Sequence, residues 1–160
     1  MHARIALGLA VLLGTVLLLA ETYAAGFRGT SAKVHWQSDL RVAHRLATAD
    51  DRPMLIVFGA DWCGYCKKLE QKTLGRKELA EYVNTKFVPV HVDFDKEPRI
   101  AEILEVRTLP CTIVLSPKAD LIGRLDGYVE HEKYTELLEG ALAMQQRIRI
   151  AEEAGFGARR

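Results

Sequence analysis

Short apolar stretches and longer amphipathic stretches alternate along the chain and predict a series of strands and helices. Four short stretches are rich in apolar residues and are too short for buried helices, which is typical of strands. Between them, apolar residues recur every three or four positions, which is helical spacing. The predicted strands cover residues 54–58, 87–94, 112–115 and 121–125, and the predicted helices cover 36–48, the stretch after Cys66, 78–83, 100–104 and 132 onward.

The order of these elements indicates an α/β fold. Helices and strands alternate as far as residue 104, and the chain then adds two strands separated only by the turn-forming segment Ser116–Asp120. A short turn of this kind joins the two strands of a hairpin. The sequence therefore predicts a central mixed β-sheet with helices on both faces.

The first 25 residues predict a targeting segment. After a short basic start, residues 5–20 contain no charged side chain, and the small residues Thr22, Ala24 and Ala25 offer a cleavage site. The segment is either a cleaved signal peptide or a retained membrane anchor, for which residues 5–20 are slightly shorter than the ~20 residues that span a bilayer. Either alternative places the protein in the periplasm or another extracytoplasmic compartment, secreted or anchored to the inner membrane.

One folded domain accounts for most of the remaining chain. We predict a linker over residues 26–33, a domain over 34–150 and a frayed tail over 151–160. Apolar residues make up 49% of the chain and charged residues 27%, which is typical of a folded protein rather than a disordered one. The net charge is +1, so the sequence has no basic excess for binding nucleic acid. The function must therefore be sought in a local site.

Cys63 and Cys66 form the most specific chemical motif in the sequence. They are separated by Gly64 and Tyr65, follow the first predicted strand and begin a predicted helix. At the start of a helix, unpaired N–H groups and the positive end of the helix dipole stabilise a thiolate, which is the attacking form of cysteine. We therefore expect Cys63 to be the nucleophile and Cys66, one turn further into the helix, to be the resolving thiol.

Two other interpretations of the cysteine pair compete with redox catalysis. A purely structural disulfide in so small a ring would remove little entropy from the unfolded chain. The pair could instead supply two ligands of a copper or zinc site completed by Cys111 and a histidine. Because the sequence has no second Cys-x-x-Cys and no His-x-x-x-His motif, we expect no metal, and a metal carrier is the alternative function.

The segment Asp61–Lys67 resembles the active-site motif of the thioredoxin family. Further along, Val106–Pro110 is similar to the cis-proline loop of that family, and Gly127 falls where thioredoxins have a glycine beside the substrate groove. The resemblance extends from residue 34 to roughly residue 144. It implies a thioredoxin fold with a cis peptide bond before Pro110 and a mixed-disulfide mechanism that needs no cofactor.

The same resemblance implies a substrate-binding surface and partners. The exported chain is similar to periplasmic thioredoxin-like proteins and to the terminal thioredoxin domain of the transmembrane thiol:disulfide interchange protein. Its partners would be protein disulfide substrates and a membrane thiol transporter that donates electrons. The Gly64–Tyr65 pair is similar to that of the periplasmic disulfide isomerases, which carry a separate dimerisation domain. About 135 residues of mature chain leave no room for such a domain, so we expect a monomer. The implied substrate-binding residues are Trp62, Gly64, Tyr65, Leu109, Pro110 and Gly127.

Three positions depart from the thioredoxin pattern. Val57 stands where thioredoxins bury an aspartate that accepts a proton from the second cysteine, and His91 stands where they carry a lysine near it. We therefore expect Cys66 to lose its proton to water or to His91, unless His91 is simply a solvent-facing strand residue. Cys111 follows the cis proline, where threonine is common. It is either a small buried apolar residue or a third thiol that modifies the reaction by capturing Cys63 or Cys66.

The residues between the two cysteines favour a reductant. Strongly oxidising relatives have a histidine there, which stabilises the thiolate and therefore the reduced form of the protein. This chain has Gly64 and Tyr65 instead. We therefore predict a protein-disulfide reductase.

Overall fold

A mixed sheet of four strands lies at the centre of residues 33–157, which are the residues that the computed structural model describes. Strand β1 (Met54–Gly59) runs parallel to β2 (Val88–Asp93) and antiparallel to β3 (Cys111–Leu115), which pairs in turn with an antiparallel β4 (Leu121–Asp126). The strand order is β2–β1–β3–β4. Every residue of β1 is buried, which explains why this strand is a continuous apolar run.

Helices cover both faces of this sheet. On one face lie α1 (Leu40–Asp50) and α4 (Pro98–Ile103). On the other lie α3 (Lys77–Lys86), α5 (His131–Gly157) and α2 (Gly64–Lys68), which continues into a π-helical segment (Leu69–Leu74). The structure therefore confirms the predicted mixed sheet with helices on both faces.

Alternating strand side chains divide the core into two clusters. Ile56 and Phe58 of β1 pack towards α1 and α4, whereas Leu55 and Val57 pack towards the π-helical segment, α3 and α5. In β2, the side chains of Val90 and Val92 belong to the first cluster. Because successive side chains of a strand point to opposite faces, the side chain of His91 lies on the second face, which is also the face of α2.

The first helix starts later than predicted from its spacing. Helix α1 begins at Leu40 because Asp39 caps it, accepting hydrogen bonds from two backbone N–H groups of the first turn. The residues before this cap belong to an extended segment, in which Gln37 forms a parallel bridge with Val90 of β2. The prediction that the helix includes Trp36 is therefore wrong, although its later turns are confirmed.

Other boundaries also differ from the sequence prediction by a few residues. Strand β3 begins at Cys111, one residue earlier than expected. Helix α5 continues to Gly157, so residues 151–157 are helical although we expected a frayed tail. Alanine and glutamate, which dominate this stretch, are strong helix formers. The Nζ of Lys118 also lies 2.6 Å from a carboxylate oxygen of Glu152, which ties the end of α5 to the turn between β3 and β4.

The predicted signal peptide or anchor over residues 1–25 lies outside the described residues, as does nearly all of the linker over 26–33. Between residues 33 and 157, no helix has both the length and the apolar composition that a membrane span requires.

Candidate active site

The residues that carry the predicted chemistry gather at one edge of the sheet. The carboxyl ends of β1 and β2 lie there because these strands are parallel. The start of β3 and the end of β4 lie there because each runs antiparallel to its neighbour. The Cys63–Cys66 motif follows β1, and the Pro110 loop leads into β3. The topology thus brings to one edge two motifs that are far apart in the sequence.

Cys63 and Cys66 are joined by a disulfide bond, and their Cα atoms are 5.3 Å apart. Cys63 is the N-cap residue of α2, and its Sγ accepts a hydrogen bond from the backbone N–H of Cys66 at 3.1 Å. Both residues are nearly buried, with exposed fractions of 6% and 4%. Burial therefore does not show which cysteine is the nucleophile, but the position of each sulfur relative to the helix does. A backbone N–H directed at the sulfur of Cys63 favours its thiolate once the disulfide is reduced.

Two exposed aromatic side chains are next to the cysteines in the sequence, one before Cys63 and one between Cys63 and Cys66. Trp62 is 68% exposed and Tyr65 is 65% exposed. The indole Nε1–H of Trp62 donates a hydrogen bond to the carboxylate of Asp95 at 2.8 Å. The ring of Tyr65 stacks on that of Tyr128, with 6.1 Å between the centroids. These contacts hold both rings while their apolar faces meet solvent. With the exposed Gly64 between them, they form a surface suited to an apolar segment of a partner.

The loop before β3 meets the turn after β4. The peptide bond between Leu109 and Pro110 is cis, Pro110 is buried and Leu109 is half-buried. The carbonyl oxygen of Pro110 accepts a hydrogen bond from the N–H of Gly127 at 2.8 Å. Gly127 has a φ of 89°, in the left-handed region that glycine adopts without strain. The backbone conformation of this turn therefore favours glycine where the turn contacts the Pro110 loop.

Cys111 is fully buried at the start of β3. Its Sγ–H donates a hydrogen bond to Asp126 at 3.2 Å. Burial, with a smaller contribution from this hydrogen bond, raises the pKa of the Cys111 thiol to about 12. Arg124 contacts both carboxylate oxygens of Asp126 at 3.0 Å and, as their main hydrogen-bond donor, lowers the pKa of Asp126. At neutral pH the Cys111 thiol is therefore protonated, which is the unreactive form.

His91 lies near Cys66, on the opposite face of the sheet from Cys111. Its Nε2 is 3.1 Å from a carboxylate oxygen of Glu70, and its ring meets that of Trp36 edge-on at 5.8 Å between centroids. The side chain of His91 is 31% exposed, so it contacts these neighbours as well as solvent. Cys66, Glu70 and His91 line a cavity of about 90 Å³, together with Gly59, Ala60, Asp61, Lys67 and Asp93.

The structure also shows functional candidates that the sequence analysis did not identify. Glu70 could have been found, because it lies four residues after Cys66 and helical spacing places such residues on the same face. Asp95, Arg124, Asp126 and Tyr128 could not, because each meets its partner only through the tertiary fold.

The residues of the metal-carrier alternative are not brought together. Cys111, its proposed third ligand, belongs to the core cluster on the face of α1 and α4, away from Cys66 and His91. Within residues 33–157, no three His, Cys, Asp or Glu side chains are grouped in a way that could hold a metal ion.

Comparison with known proteins agrees with this fold and motif. The family model of the thioredoxin-like domain matches residues 40–142, which is more than half of the chain. This chain belongs to the thioredoxin-like family. Thioredoxin-1 of Drosophila yakuba is 37% identical to it over 88 residues, which cover 55% of this chain and 78% of that protein. The thioredoxin-related protein DsbJ of Chlamydia pneumoniae is 29% identical over 130 residues, which cover 72% of this chain and 37% of that protein.

A solved structure supports the same assignment of the fold. The DsbH oxidoreductase superposes on this thioredoxin-like chain with a TM-score of 0.61 at 19% identity, covering 74% of this chain and 93% of that one. The predicted thioredoxin fold is therefore confirmed. With the Cys63–Cys66 pair at the start of a helix, this chain is a thioredoxin-like thiol:disulfide oxidoreductase.

Proposed function

We propose that this thioredoxin-like protein reduces the disulfide bonds of protein substrates outside the cytoplasm. One observation carries the proposal: the Cys63–Cys66 pair begins a helix, and its first sulfur accepts a backbone N–H. The neighbouring side chains of Trp62 and Tyr65 are open to solvent rather than enclosed. An open, apolar surface suits a segment of another protein better than a small molecule, which is usually bound in an enclosed pocket.

The reaction has two exchange steps. In the reduced protein, the Cys63 thiolate attacks one sulfur of the substrate disulfide, and the other substrate sulfur leaves as a thiolate. Cys66 then loses its proton and attacks the Cys63 sulfur of the mixed disulfide. This second step closes the Cys63–Cys66 disulfide and releases the remaining substrate sulfur as a thiolate. The dithiol thereby gives two electrons to the substrate, whose two sulfurs become thiols after protonation.

The residues between the cysteines support reduction as the net direction. Gly64 and Tyr65 provide no positive charge for the Cys63 thiolate, so they do not favour the reduced form as a histidine would. Thioredoxin-like potentials near about −270 mV contrast with about −120 mV for the strongest oxidant of this kind. We expect a potential below about −200 mV, measured by equilibration with glutathione. A value close to that of the strong oxidant would reverse the proposed direction.

The proposed location and partners follow from the amino terminus. Residues 5–20 form an uncharged apolar run after a basic start, as in a signal peptide or an anchor. A reductant on the far side of a membrane is oxidised at each turnover and needs electrons from inside the cell. A membrane thiol transporter is the donor that this requirement favours, and the proposed acceptors are disulfide-bonded proteins met by a monomeric domain.

Replacing each cysteine of the pair tests the mechanism. We expect Cys63→Ser to abolish disulfide reduction, because the nucleophile is lost. Cys66→Ser should retain the nucleophile and accumulate mixed disulfides with clients, since nothing resolves them. Non-reducing electrophoresis followed by mass spectrometry detects these adducts. If Cys63→Ser traps adducts and Cys66→Ser does not, the roles of the two cysteines are reversed.

A further inference from the structure

The second exchange step requires a proton acceptor for Cys66. Only 4% of this residue is exposed, and burial disfavours the thiolate that must attack the mixed disulfide. The backbone N–H of Cys66 is directed at the other sulfur, that of Cys63. A group that removes the proton of Cys66 would therefore set the rate at which the mixed disulfide is resolved.

The space beside Cys66 leads to His91. A Cβ atom built on Gly59 would stand 3.1 Å from the Nε2 of His91 and 3.6 Å from the Cβ of Cys66. The imidazole edge and the base of the Cys66 side chain thus face each other across the bare Cα of Gly59. Both side chains also line the cavity of about 90 Å³. Such a volume has room for about three water molecules at ~30 Å³ each, and its polar lining offers them partners.

Glu70 is placed to stabilise a protonated His91. Its carboxylate oxygen is 3.1 Å from the Nε2 of His91, so a positive charge on the ring would be balanced directly. Glu70 lies one turn after Cys66, at the start of the π-helical segment, and lines the same cavity. An imidazole exchanges protons readily near neutral pH, which suits it to a reaction that repeats at each turnover.

The other charged groups around His91 are less suited to this task. Asp93 lies 2.7 Å from the Nζ of Lys96, and this contact is the main cause of its lowered pKa, which keeps its carboxylate ionised. Asp61 and Lys67 also line the cavity, and neither makes a close contact with His91 comparable to that of Glu70. On its far side, His91 borders a larger groove, whose charged residues are Asp39, Arg41, Asp61, Asp93, Lys96 and Glu97. This groove connects the imidazole to solvent.

We infer that His91 accepts the proton of Cys66 through water in the cavity, and that Glu70 is the positioning residue that holds and balances the protonated ring. The inference rests on the proposed function, since it concerns the second exchange step. The Cys66 thiol gives its proton through this water to Nδ1 of the imidazole, because Nε2 holds the hydrogen that faces Glu70. The Cys66 thiolate then attacks the Cys63 sulfur. The departing substrate thiolate takes up a proton from solvent, and His91 returns its own through the groove.

A small aromatic disulfide separates the two steps. Dithiobis(nitrobenzoic acid) releases one coloured thiolate when Cys63 attacks it and another when Cys66 resolves the mixed disulfide. Stopped-flow absorbance of the reduced full-length protein therefore gives a first phase for Cys63 and a second phase for Cys66. Loss of the second phase in Cys66→Ser assigns the phases, and an absent first phase in the parent protein would contradict the proposed function itself.

We expect His91→Asn to slow the second phase by about 10²-fold, the lower end of general-base contributions, and to leave the first phase unchanged. Glu70→Gln should slow the same phase by a smaller factor. Gly59→Ala should also slow it, because the added methyl stands between the two side chains without removing either. Free imidazole added to His91→Asn should accelerate the second phase, an effect that a merely structural histidine would not produce.

His44→Asn and Glu78→Gln are matched controls, because these residues are exposed on α1 and α3. Both should retain the two phases of the parent protein. A second phase in His91→Asn as fast as in the parent overturns the inference and leaves the proposed function standing. Equal slowing of both phases, or slowing that imidazole does not relieve, also overturns it, since either result indicates a structural role.

Discussion

His91 and Cys111 are both titratable side chains beside the carboxyl end of β1, but their surroundings are opposite. His91 pairs in register with Val57 on the β2 side, and Cys111 pairs with Phe58 on the β3 side. His91 is partly exposed and shares a cavity with Cys66. Cys111 is fully buried, and its thiol is bound to a carboxylate.

The alternation of strand side chains produces this difference. Val57 and His91 point to the face of α2, whereas Phe58 and Cys111 belong to the core cluster against α1 and α4. One edge of the sheet therefore carries two functions on its two faces. We propose that the face of His91 exchanges protons with the active site, whereas on the face of Cys111 the Arg124 and Asp126 side chains hold the loop that leads to Pro110. Proximity in the sheet does not by itself give a residue a part in the reaction.

The largest effect on stability is expected from placing an acid at Val57, which pairs in register with His91 and lies on the same face of the sheet. Val57 is 2% exposed, so Val57→Asp should lower the free energy of unfolding by about 3–5 kcal/mol, the cost of a poorly paired buried charge. Burial raises the pKa of a carboxylic acid, so the loss should grow as the pH rises above the ~3.9 of an exposed aspartate. Urea denaturation at several pH values measures this dependence.

The same substitution sharpens the assignment of the proton acceptor. Combined with His91→Asn, Val57→Asp should restore part of the second phase, because the introduced carboxylate replaces the lost base. Val57→Asn is the matched control, since it is also polar and destabilising but accepts no proton at neutral pH. If the second phase is equally fast in the two double variants, the introduced carboxylate does not act as a base, and this face of the sheet does not accept the proton of Cys66.

The comparison also shows what the sequence could and could not establish. Some features are local patterns that can be recognised from a short stretch of sequence. These are the Cys63–Cys66 pair, the apolar strand before it and the Pro110 loop. The ambiguity of His91 and Cys111 is different in kind. Alternation in β2 predicts that His91 faces away from Val90 and Val92, but not that Glu70 and a cavity lie on that side. For Cys111, no local pattern indicates an aspartate partner from β4.

The start of the first helix illustrates the same limit. The spacing of Trp36 agrees with the helix that follows, so periodicity alone extends the helix to it. The bridge between Gln37 and Val90 overrides this local preference, because it pairs backbone groups with a strand far away in the sequence. Pairing across the fold decides such boundaries, whereas the interior of each element was predicted from its own residues.

A smaller effect is expected from releasing the Pro110 loop on the face of Cys111. The guanidinium of Arg124 donates hydrogen bonds to the carbonyl oxygens of Leu104 and Glu105 at 2.8 and 2.9 Å, just before that loop. Arg124→Met should lower the free energy of unfolding by about 1–2 kcal/mol. It should also raise KM for a protein disulfide, because the sequence resemblance implies that this loop binds the substrate backbone. Both phases with the aromatic disulfide should stay unchanged.

Arg99→Met is the matched control, because Arg99 is an exposed arginine on α4, the helix that precedes the loop. It should change neither stability nor KM. Slowing of the second phase in Arg124→Met would contradict this prediction, since it would show that residues on the face of Cys111 take part in the exchange reaction.

The smallest effect is expected at Cys111 itself. Its thiol is buried, protonated and directed at Asp126, so it should react with neither Cys63 nor Cys66. Cys111→Thr retains a hydrogen-bond donor and should cost about 1 kcal/mol or less of stability, with both phases at their parent rates. In the reduced folded parent, dithiobis(nitrobenzoic acid) should leave Cys111 unmodified until denaturant is added.

The free energy of unfolding of the parent and of Cys111→Thr should depend differently on pH. Because burial raises the pKa of Cys111 to about 12 in the folded protein, while an unfolded cysteine titrates near ~8.5, the folded state holds its proton longer. The stabilisation is therefore complete below the unfolded pKa and is lost as the pH rises towards the folded one. Cys111→Thr should thus lose less stability than the parent between about pH 9 and pH 11. Equal losses, or rapid labelling of Cys111 in the folded protein, would show that this thiol is open to solvent and able to join the exchange.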